Sequence, residues 1–187
     1  MSDQPEIRRA SAGDAIGLAR VHVAAWRDTY AGVLPSRYLI DLSQDEQAGR
    51  WRRLLSRHDR SHGTFVVEEP GEGIVGYGSC GPNRSSDLPG IGGEVHALYV
   101  DPAMQGRGLG RQLMAAMADD LLIRRHRSLC VWVLSDNPAR WFYAHMGGRL
   151  TAEEAIRFAG TDLIQLAYVW PDLPSLLRLV GSVGDPA

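Results

Sequence analysis

The sequence predicts an α/β fold in which a mixed, mostly antiparallel central sheet is flanked by helices. Segments rich in β-branched and aromatic residues alternate with segments whose apolar residues recur at the helical period. Some neighbouring strand candidates are joined by short turns, whereas others are separated by a whole helix. Hairpins produce antiparallel pairs and helical crossovers produce parallel ones, so a mixed sheet is expected.

The first half of the chain predicts a strand, two helices and a hairpin. Ser11 and Asp14 are typical of a helix start, and apolar residues then recur at helical spacing until Gly32 and Pro35 interrupt them. Turn residues around Pro70 separate two strand-like runs. The predicted elements are a strand at 6–9, helices at about 11–31 and 45–57, and hairpin strands at 64–68 and 73–80.

The second half of the chain predicts four further strands. A helix separates the first strand from the second, and another separates the second from the third. Leucines and methionines fall on one side of the segment after Gly108, as in an amphipathic helix. Asn137 and Pro138 fit the first positions of a short helix, and Gly147 fits its end. The predicted elements are a strand at 94–100, a helix at 108–125, a strand at 128–134, a helix at 137–147, and hairpin strands at 150–158 and 163–170.

Length and composition predict a single domain, 1–187, with a core at about 6–170 and a tail at 171–187. The 187 residues include 44% hydrophobic ones, which suffices for one substantial core. The formal net charge of −2 provides no positive field for nucleic acid. The apolar stretch 173–180 and the exposed final strands predict either a homodimer contact or a tail helix packed on its own domain.

Several features predict a cytoplasmic protein without a membrane or metal partner. No run reaches the roughly 18 apolar residues of a membrane span, and the N-terminus is too polar for a signal peptide. Cys80 and Cys130 lie in apolar strand candidates and are expected to be buried free thiols. The six histidines show none of the spacings that typify a zinc site.

A glycine-rich segment between a predicted strand and a helix is the sharpest motif. In Gln105-Gly106-Arg107-Gly108-Leu109-Gly110, the glycines let backbone N–H groups approach a ligand, and the helix N-terminus adds partial positive charge. This arrangement is typical of a phosphate-binding loop, although three glycines also occur in tight turns that only pack a helix on a sheet. Arg111 stands where a dinucleotide fingerprint needs glycine, and no Gly-Lys-Ser/Thr of a Walker loop is present.

The motif resembles that of the GNAT superfamily of N-acetyltransferases. Gln105, Gly108 and Gly110 match its signature, and Phe142-Tyr143 followed by Gly147 resembles its second block. The resemblance implies a GNAT-like fold whose sheet splays near Val100 to leave a cleft for acetyl-CoA. The cofactor-binding residues that it implies are Leu98, Tyr99, Val100, Gln105, Gly106, Arg107, Gly108, Leu109, Gly110, Arg111 and Asn137, of which Asn137 has the alternative of being only a helix cap.

Within this resemblance, the loop amides would hold the pyrophosphate of coenzyme A, with Arg107 and Arg111 near its charge. The main chain of 98–100 would pair with the pantetheine arm and polarise the thioester carbonyl. The expected cosubstrate is acetyl-CoA, and no metal is expected.

Aminolysis of a thioester needs a base for the amine and an acid for the leaving thiolate. Tyr143 occupies the position of the family's tyrosine donor and is the candidate acid, with cofactor packing as the alternative. Glu94 lies eleven residues before Gln105, as does the catalytic glutamate of some members, and His96 is a second candidate base. Strand alternation predicts that Glu94, His96 and Leu98 share one side.

The first long helix offers three candidates for the acceptor pocket, because this region walls the pocket in the family. His22, Trp26 and Tyr30 are spaced four residues apart on one side of the helix. Core packing of the aromatic residues explains the same pattern.

The resemblance implies an N-acetyltransferase that moves an acetyl group from acetyl-CoA to an amine of a small molecule by direct transfer in a ternary complex. Two alternatives stay open. The acceptor is a protein N-terminal or lysine amine, or the chain is a non-catalytic module that binds or senses acyl-CoA.

Overall fold

The computed structural model describes residues 4–57 and 59–181. These residues contain seven strands and six α-helices. The strands are β1 (Glu6–Arg9), β2 (Gly63–Glu69), β3 (Gly73–Pro82), β4 (Gly93–Val100), β5 (Leu129–Leu134), β6 (Arg149–Phe158) and β7 (Thr161–Trp170). The helices are α1 (Ala15–Thr29), α2 (Ser36–Ile40), α3 (Gln44–Leu55), α4 (Leu109–Ile123), α5 (Ala139–His145) and α6 (Leu173–Gly181).

All seven strands join one sheet in the order β1-β2-β3-β4-β5-β7-β6. Every neighbouring pair is antiparallel except β4 and β5, which are parallel. This confirms the predicted mixed, mostly antiparallel sheet. The parallel pair arises because α4 carries the chain from the end of β4 back to the start of β5.

Helices cover both faces of the sheet. Apolar side chains of α1 and α3 pack on one face around the fully buried Tyr77 of β3. On the other face, α4 buries its leucines and methionines, as the helical spacing predicted. The short helix α2, which the sequence analysis did not predict, follows Pro35 and packs Leu39 against α1 and the β6–β7 hairpin.

The predicted tail forms α6, which packs against α4 and buries Leu173 and Leu176 in the main core. Residues 182–187 of that tail lie outside the described residues. Cys80 and Cys130 are buried free thiols, as predicted. Among the described helices, none combines the length and apolar character that crossing a bilayer requires.

The parallel pairing of β4 with β5 is short. It comprises Gly93 with Leu129, Glu94 with Cys130, and Val95 with Val131, although β4 continues to Val100. Beyond Val131, β5 remains paired with β7 on its other side. The two strands therefore separate after Val95, and the β5-facing main chain of β4 from 96 to 100 borders a cleft. Backbone N–H and C=O groups at such an edge need partners, which a ligand can supply.

A β-bulge interrupts β4 at His96, so the predicted alternation is wrong for Leu98, whereas the side chains of Glu94 and His96 do lie together, 3.9 Å apart. Ser79 of β3 pairs with Ala97, whereas the next residue, Cys80, pairs with Val95. His96 is the extra residue, and the side chains beyond it change face. Leu98 therefore packs on the α4 side with Val95.

A buried carboxylate fixes the C-terminal half of α4 against the sheet. The side chain of Asp120 is 5% exposed and forms ion pairs with Arg9 of β1 and with Arg124 of its own helix, the latter at 2.7 Å. Arg124 also donates to the main-chain oxygen of His62 at 3.1 Å. This network ties α4 to β1 and to the residue that precedes β2.

Replacing Asp120 by Ala should lower the free energy of unfolding by about 3 kcal/mol, because it leaves the partly buried Arg124 guanidinium without its carboxylate. Chemical denaturation monitored by circular dichroism measures the change. Asp119→Ala is the control, since Asp119 is exposed on the same helix turn. Equal stabilities of the two variants would contradict this account of the network.

Candidate active site

The glycine-rich loop turns from the end of β4 into α4 through two left-handed residues. Gly106 has φ 78° and Gly108 has φ 77°, a region that non-glycine residues rarely adopt. Gly108 is the N-cap of α4, so the first N–H groups of the helix open toward the loop. A cleft of about 520 Å³ lies beside this turn. Its walls include Met104, Gln105, Gly106, Gly108, Leu109, Gly110, Arg111 and Phe142.

A second cavity, of about 180 Å³, lies between the separating ends of β4 and β5. Residues 95–100 form one wall and residues 131–134 form the other, with Ala25, Thr29, Tyr30 and Gln165 at the remaining sides. The two cavities share the wall residues Thr29, Leu98, Val100, Gln105, Asn137, Ala139 and Tyr143. A ligand anchored at the glycine loop can thus extend into the space between the strands.

Tyr143 lies where the two cavities meet. Tyr143 belongs to α5, is 5% exposed, and lines both cavities. Burial raises the pKa of the Tyr143 hydroxyl well above its ordinary value of 10. The phenol therefore keeps its proton at neutral pH and can donate a hydrogen bond.

Asn137 fixes the start of the helix that carries Tyr143. Its Oδ1 accepts a hydrogen bond from the N–H of Ala139 at 2.8 Å, which is a helix-capping contact. Its Nδ2 donates to the hydroxyl of Tyr30 at 3.1 Å. The buried amide thus joins α5 to the residue that follows α1.

The two candidate bases occupy different environments. Glu94 is 4% exposed, and its carboxylate accepts hydrogen bonds from Arg84, including one of 2.6 Å from Nη2 and one of 2.8 Å from the main-chain N–H. It is not among the residues that line either cavity. His96 does line the cavity between the strands. The His96 imidazole lies over β3, close to Gly81 and 5.4 Å from the His62 ring, and Arg84 holds the Glu94 carboxylate.

The imidazole of His96 is set up to accept a proton. Burial and the Arg84 guanidinium lower its pKa, while Glu94 opposes the shift, so the ring is neutral at neutral pH. Its Nε2 lies 3.2 Å from the main-chain oxygen of Pro82. A carbonyl oxygen only accepts, so Nε2 carries the proton and Nδ1 keeps its lone pair.

The two arginines of the loop make contacts within the protein. Arg107 pairs with Glu69 at 2.8 Å, and it is not among the residues that line the cleft. Arg111 lines the cleft and donates to the main-chain oxygen of Leu179 in α6. Gln105 donates from Nε2 to the main-chain oxygen of Val100 at 3.2 Å, which ties the loop to the end of β4.

Of the three pocket candidates on the first helix, the structure brings only Tyr30 to a cavity. His22 instead hydrogen-bonds through Nδ1 to the hydroxyl of Tyr77 at 2.7 Å, and burial lowers its pKa to about 4. The Trp26 ring packs between His22 and Tyr30, with centroid distances of 5.1 and 5.0 Å. For His22 and Trp26, the alternative of core packing describes the contacts better.

Other residues that line the cavity between the strands, among them Thr29, Trp132 and Gln165, were not predicted from the sequence. Gln165 had a readable signal, because it is a polar residue in the otherwise apolar run of β7. Thr29 and Trp132 had none, since their exposure to the cavity depends on where the strands separate. Within the described residues, no group of three histidine, cysteine or carboxylate side chains is placed to hold a metal ion.

Comparisons with known proteins relate this chain to one family of acetyltransferases. A model of the acetyltransferase (GNAT) family matches residues 19–147. An uncharacterized N-acetyltransferase of Bacillus subtilis, YuaI, is 35% identical over 174 residues, which cover 93% of this chain and 97% of that protein.

Solved structures share the fold. The yncA protein of Salmonella typhimurium, determined with its cofactor acetyl-CoA, is 25% identical with a TM-score of 0.66, over 91% of this chain and 94% of its own. An N-acetyltransferase of Staphylococcus aureus Mu50 is 20% identical with a TM-score of 0.70, over 91% of this chain and 99% of its own.

Replacing Gly108 by Ala should weaken coenzyme A binding at least tenfold, because a left-handed alanine costs roughly 1–2 kcal/mol and shifts the N–H groups at the start of α4. Isothermal titration calorimetry measures the dissociation constant. Gly160→Ala is the matched control: Gly160 has φ 80° in the β6–β7 turn, away from the cleft. Equal affinities of the two variants would rule out the loop as the phosphate site.

Proposed function

Because the chain belongs to the GNAT acetyltransferase family and is an N-acetyltransferase that uses acetyl-CoA, we propose that it acetylates the amine of a small molecule. The transfer is direct, within a ternary complex of protein, acetyl-CoA and amine. Acetyl-CoA lies along the glycine loop and enters between β4 and β5, and the acceptor reaches the thioester from the side of α1 and the β6–β7 hairpin.

One observation carries the proposal of a small acceptor. Aromatic rings bridge the two elements that would flank an open peptide groove. Phe158 at the end of β6 lies 5.3 Å from the ring of Tyr38 in α2 and 6.0 Å from that of Trp26 in α1. The cavity between β4 and β5, which is lined by Tyr30, a ring neighbour of Trp26, holds about 180 Å³. A protein acceptor needs a longer open surface, whereas a small amine fits a space of this size.

The residues at the cleft suit acetyl-CoA. Left-handed glycines and the start of α4 provide N–H groups for a pyrophosphate. The β5-facing edge of β4 beyond Val95 offers main-chain groups to the amide-bearing pantetheine arm. Acetyl-CoA supplies an activated acetyl group, and this chain orients it and moves the protons.

Proton removal from the acceptor falls to His96 rather than Glu94. An ammonium has no lone pair, so it must lose a proton before it attacks the thioester carbon. His96 is among the residues that line the cavity, and its neutral imidazole is able to take that proton, whereas the Glu94 carboxylate is occupied by Arg84. The role of Glu94 is then to hold Arg84 and to favour the charged imidazolium once it forms, from 3.9 Å.

Proton donation falls to Tyr143. As the C–S bond breaks, its electron pair moves to sulfur, and the buried phenol gives its proton to the thiolate. The attacking nitrogen loses a second proton as the amide forms, and this proton restores the Tyr143 phenol, so the one proton released overall is the one that His96 took up.

The direct test is the release of free thiol from acetyl-CoA against a panel of amino acids, polyamines, aminoglycosides, simple amines and short peptides. Acceptor-dependent release with small amines and none with peptides is expected. Release with peptides alone would transfer the assignment to a protein acceptor. Tight coenzyme A binding without release for any acceptor would favour a sensing module.

Tyr143→Phe should lower kcat by roughly 10²- to 10⁴-fold while leaving the dissociation constant of acetyl-CoA nearly unchanged, because only the proton donor is lost. Steady-state thiol release and calorimetry measure the two quantities. Tyr168→Phe is a suitable control, since Tyr168 is a buried neighbour of Tyr143 that lines neither cavity. An unchanged kcat would remove Tyr143 from this role.

His96→Gln should slow transfer by about 10²-fold or more and should change its pH dependence. In the wild type, kcat/KM falls on the acid side as His96 becomes protonated, with a midpoint below about 6.5 because burial lowers its pKa. Glutamine retains a donor for Pro82 but takes up no proton, so this acid limb should disappear. A variant that keeps both the rate and the limb would show that His96 is not the base.

A further inference from the structure

We propose that the acceptor carries a second positively charged group and that the Glu154 carboxylate binds this group beside the cavity between β4 and β5. The substrate class is thus small diamines, in which one amine is acetylated while the other remains an ammonium. This inference rests on the proposed acetyl transfer and names the substrate of the same cavity. It is carried by a polar pair, Gln165 and Glu154, that begins at the cavity wall.

Gln165 and Glu154 lie next to each other on neighbouring strands. The register pairs Gln165 of β7 with Leu134 of β5 on one side and with Glu154 of β6 on the other. Residues paired in this way project from the same face of a sheet. Gln165 and Leu134 both line the cavity. Glu154 is therefore the next residue in a row of side chains that starts at the cavity.

These two polar residues interrupt an apolar surface. At two positions further along each strand, in either direction, the same face carries apolar residues of two hydrophobic clusters: Ile156 and Leu163 in one, Ala152 and Ala167 in the other. Glu154 and Gln165 between them are half-buried. A leucine or valine would extend the packing at these positions, whereas a half-buried carboxylate lowers stability unless it has a partner. The pair therefore indicates a binding role.

The hydrogen bond within the pair determines which atoms face a ligand. The amide nitrogen of Gln165 donates to Oε2 of Glu154 at 2.6 Å. A carboxylate only accepts, so the Gln165 NH₂ faces it and the amide oxygen Oε1 points away. In the described ranges, no donor bonds to that oxygen or to Oε1 of Glu154. Neither oxygen is one of the fully buried polar atoms without a partner, so both are accessible to a ligand that donates hydrogen bonds.

The protein itself does not neutralise Glu154. Within residues 4–57 and 59–181, no arginine or histidine forms an ion pair with it, whereas the Glu94 carboxylate is paired with Arg84. Arg157, the nearest arginine along β6, projects from the opposite face and pairs with Asp162 at 3.0 Å. The negative charge beside the cavity is thus left for a ligand.

A second ammonium of the acceptor fits these atoms, because it is positively charged and donates several hydrogen bonds. The reacting amine is not this group, since it must lose its proton before its lone pair attacks the thioester. Strand spacing sets the distance between the two nitrogens. Neighbouring strands lie about 4.8 Å apart, so Gln165 and Glu154 lie roughly 5 and 10 Å from β5, a range that about four to six carbons span.

The test uses three acceptors of similar length that differ in the charge at the far end: 1,4-diaminobutane, butylamine and 4-aminobutanoate. Thiol release from acetyl-CoA measures kcat/KM for each. With wild type, 1,4-diaminobutane should exceed butylamine by about tenfold to hundredfold, the effect of one hydrogen bond to a charged group, and 4-aminobutanoate should be the slowest. Glu154→Gln should bring 1,4-diaminobutane to within about threefold of butylamine, while the value for butylamine stays within about twofold of wild type.

Glu153→Gln is the matched control. Glu153 is exposed and projects from the opposite face of β6, so this variant should treat all three acceptors as wild type does. The inference is wrong if wild type does not prefer the diamine to butylamine, or if Glu154→Gln keeps that preference. An equal loss for all three acceptors in Glu154→Gln would reveal a structural role and would also overturn it.

The wild-type result separates this inference from the proposed function. Thiol release with other small amines but not with 1,4-diaminobutane would overturn the inference and leave acetyl transfer to small amines intact. No release with any acceptor would overturn both together.

Discussion

The candidate site depends on the short parallel pairing between β4 and β5, which ends at Val95. Three residue pairs hold these strands together, and beyond Val95 each strand keeps its other neighbour, β3 or β7, but loses this one. Main-chain groups of β4 are thereby left at an edge inside the protein, where unpaired N–H and C=O groups are costly. A ligand with its own amides is the natural partner for such an edge, and the pantetheine arm of acetyl-CoA has them.

The groups proposed for the chemistry are arranged around this opening by contacts that serve the fold as well. The bulge in β4 lies at His96, where β4 and β5 begin to separate, and the salt bridge with Arg84 holds the Glu94 carboxylate. Asn137 caps α5, which carries Tyr143, and also bonds to Tyr30 across the opening. One amide therefore sets the distance between the acid on the cofactor side and the hydroxyl on the acceptor side.

Much of the fold was predictable because local sequence patterns determine it. The helical spacing of leucines and methionines predicted α4, and the glycines from Gly106 to Gly110 predicted the turn before it. The bulge was not predictable, because it depends on the register of β4 against β3 and not on the residues of β4 alone. The contacts of Glu94 likewise depend on Arg84, which lies ten residues earlier in the chain. The loop between β3 and β4 brings the Arg84 side chain onto the carboxylate. The glycine loop could be foreseen from the sequence, but that His96 and not Glu94 is among the residues lining the cavity depends on the tertiary structure.

The most direct test of this account is a crystal structure of the protein with acetyl-CoA. We expect the pyrophosphate at the N-terminus of α4 and the pantetheine arm paired with β4 beyond Val95. The sulfur of the thioester should lie near the hydroxyl of Tyr143. Acetyl-CoA bound elsewhere, with β4 and β5 still separated around an empty cavity, would contradict the central claim that this opening is where the acetyl group is transferred.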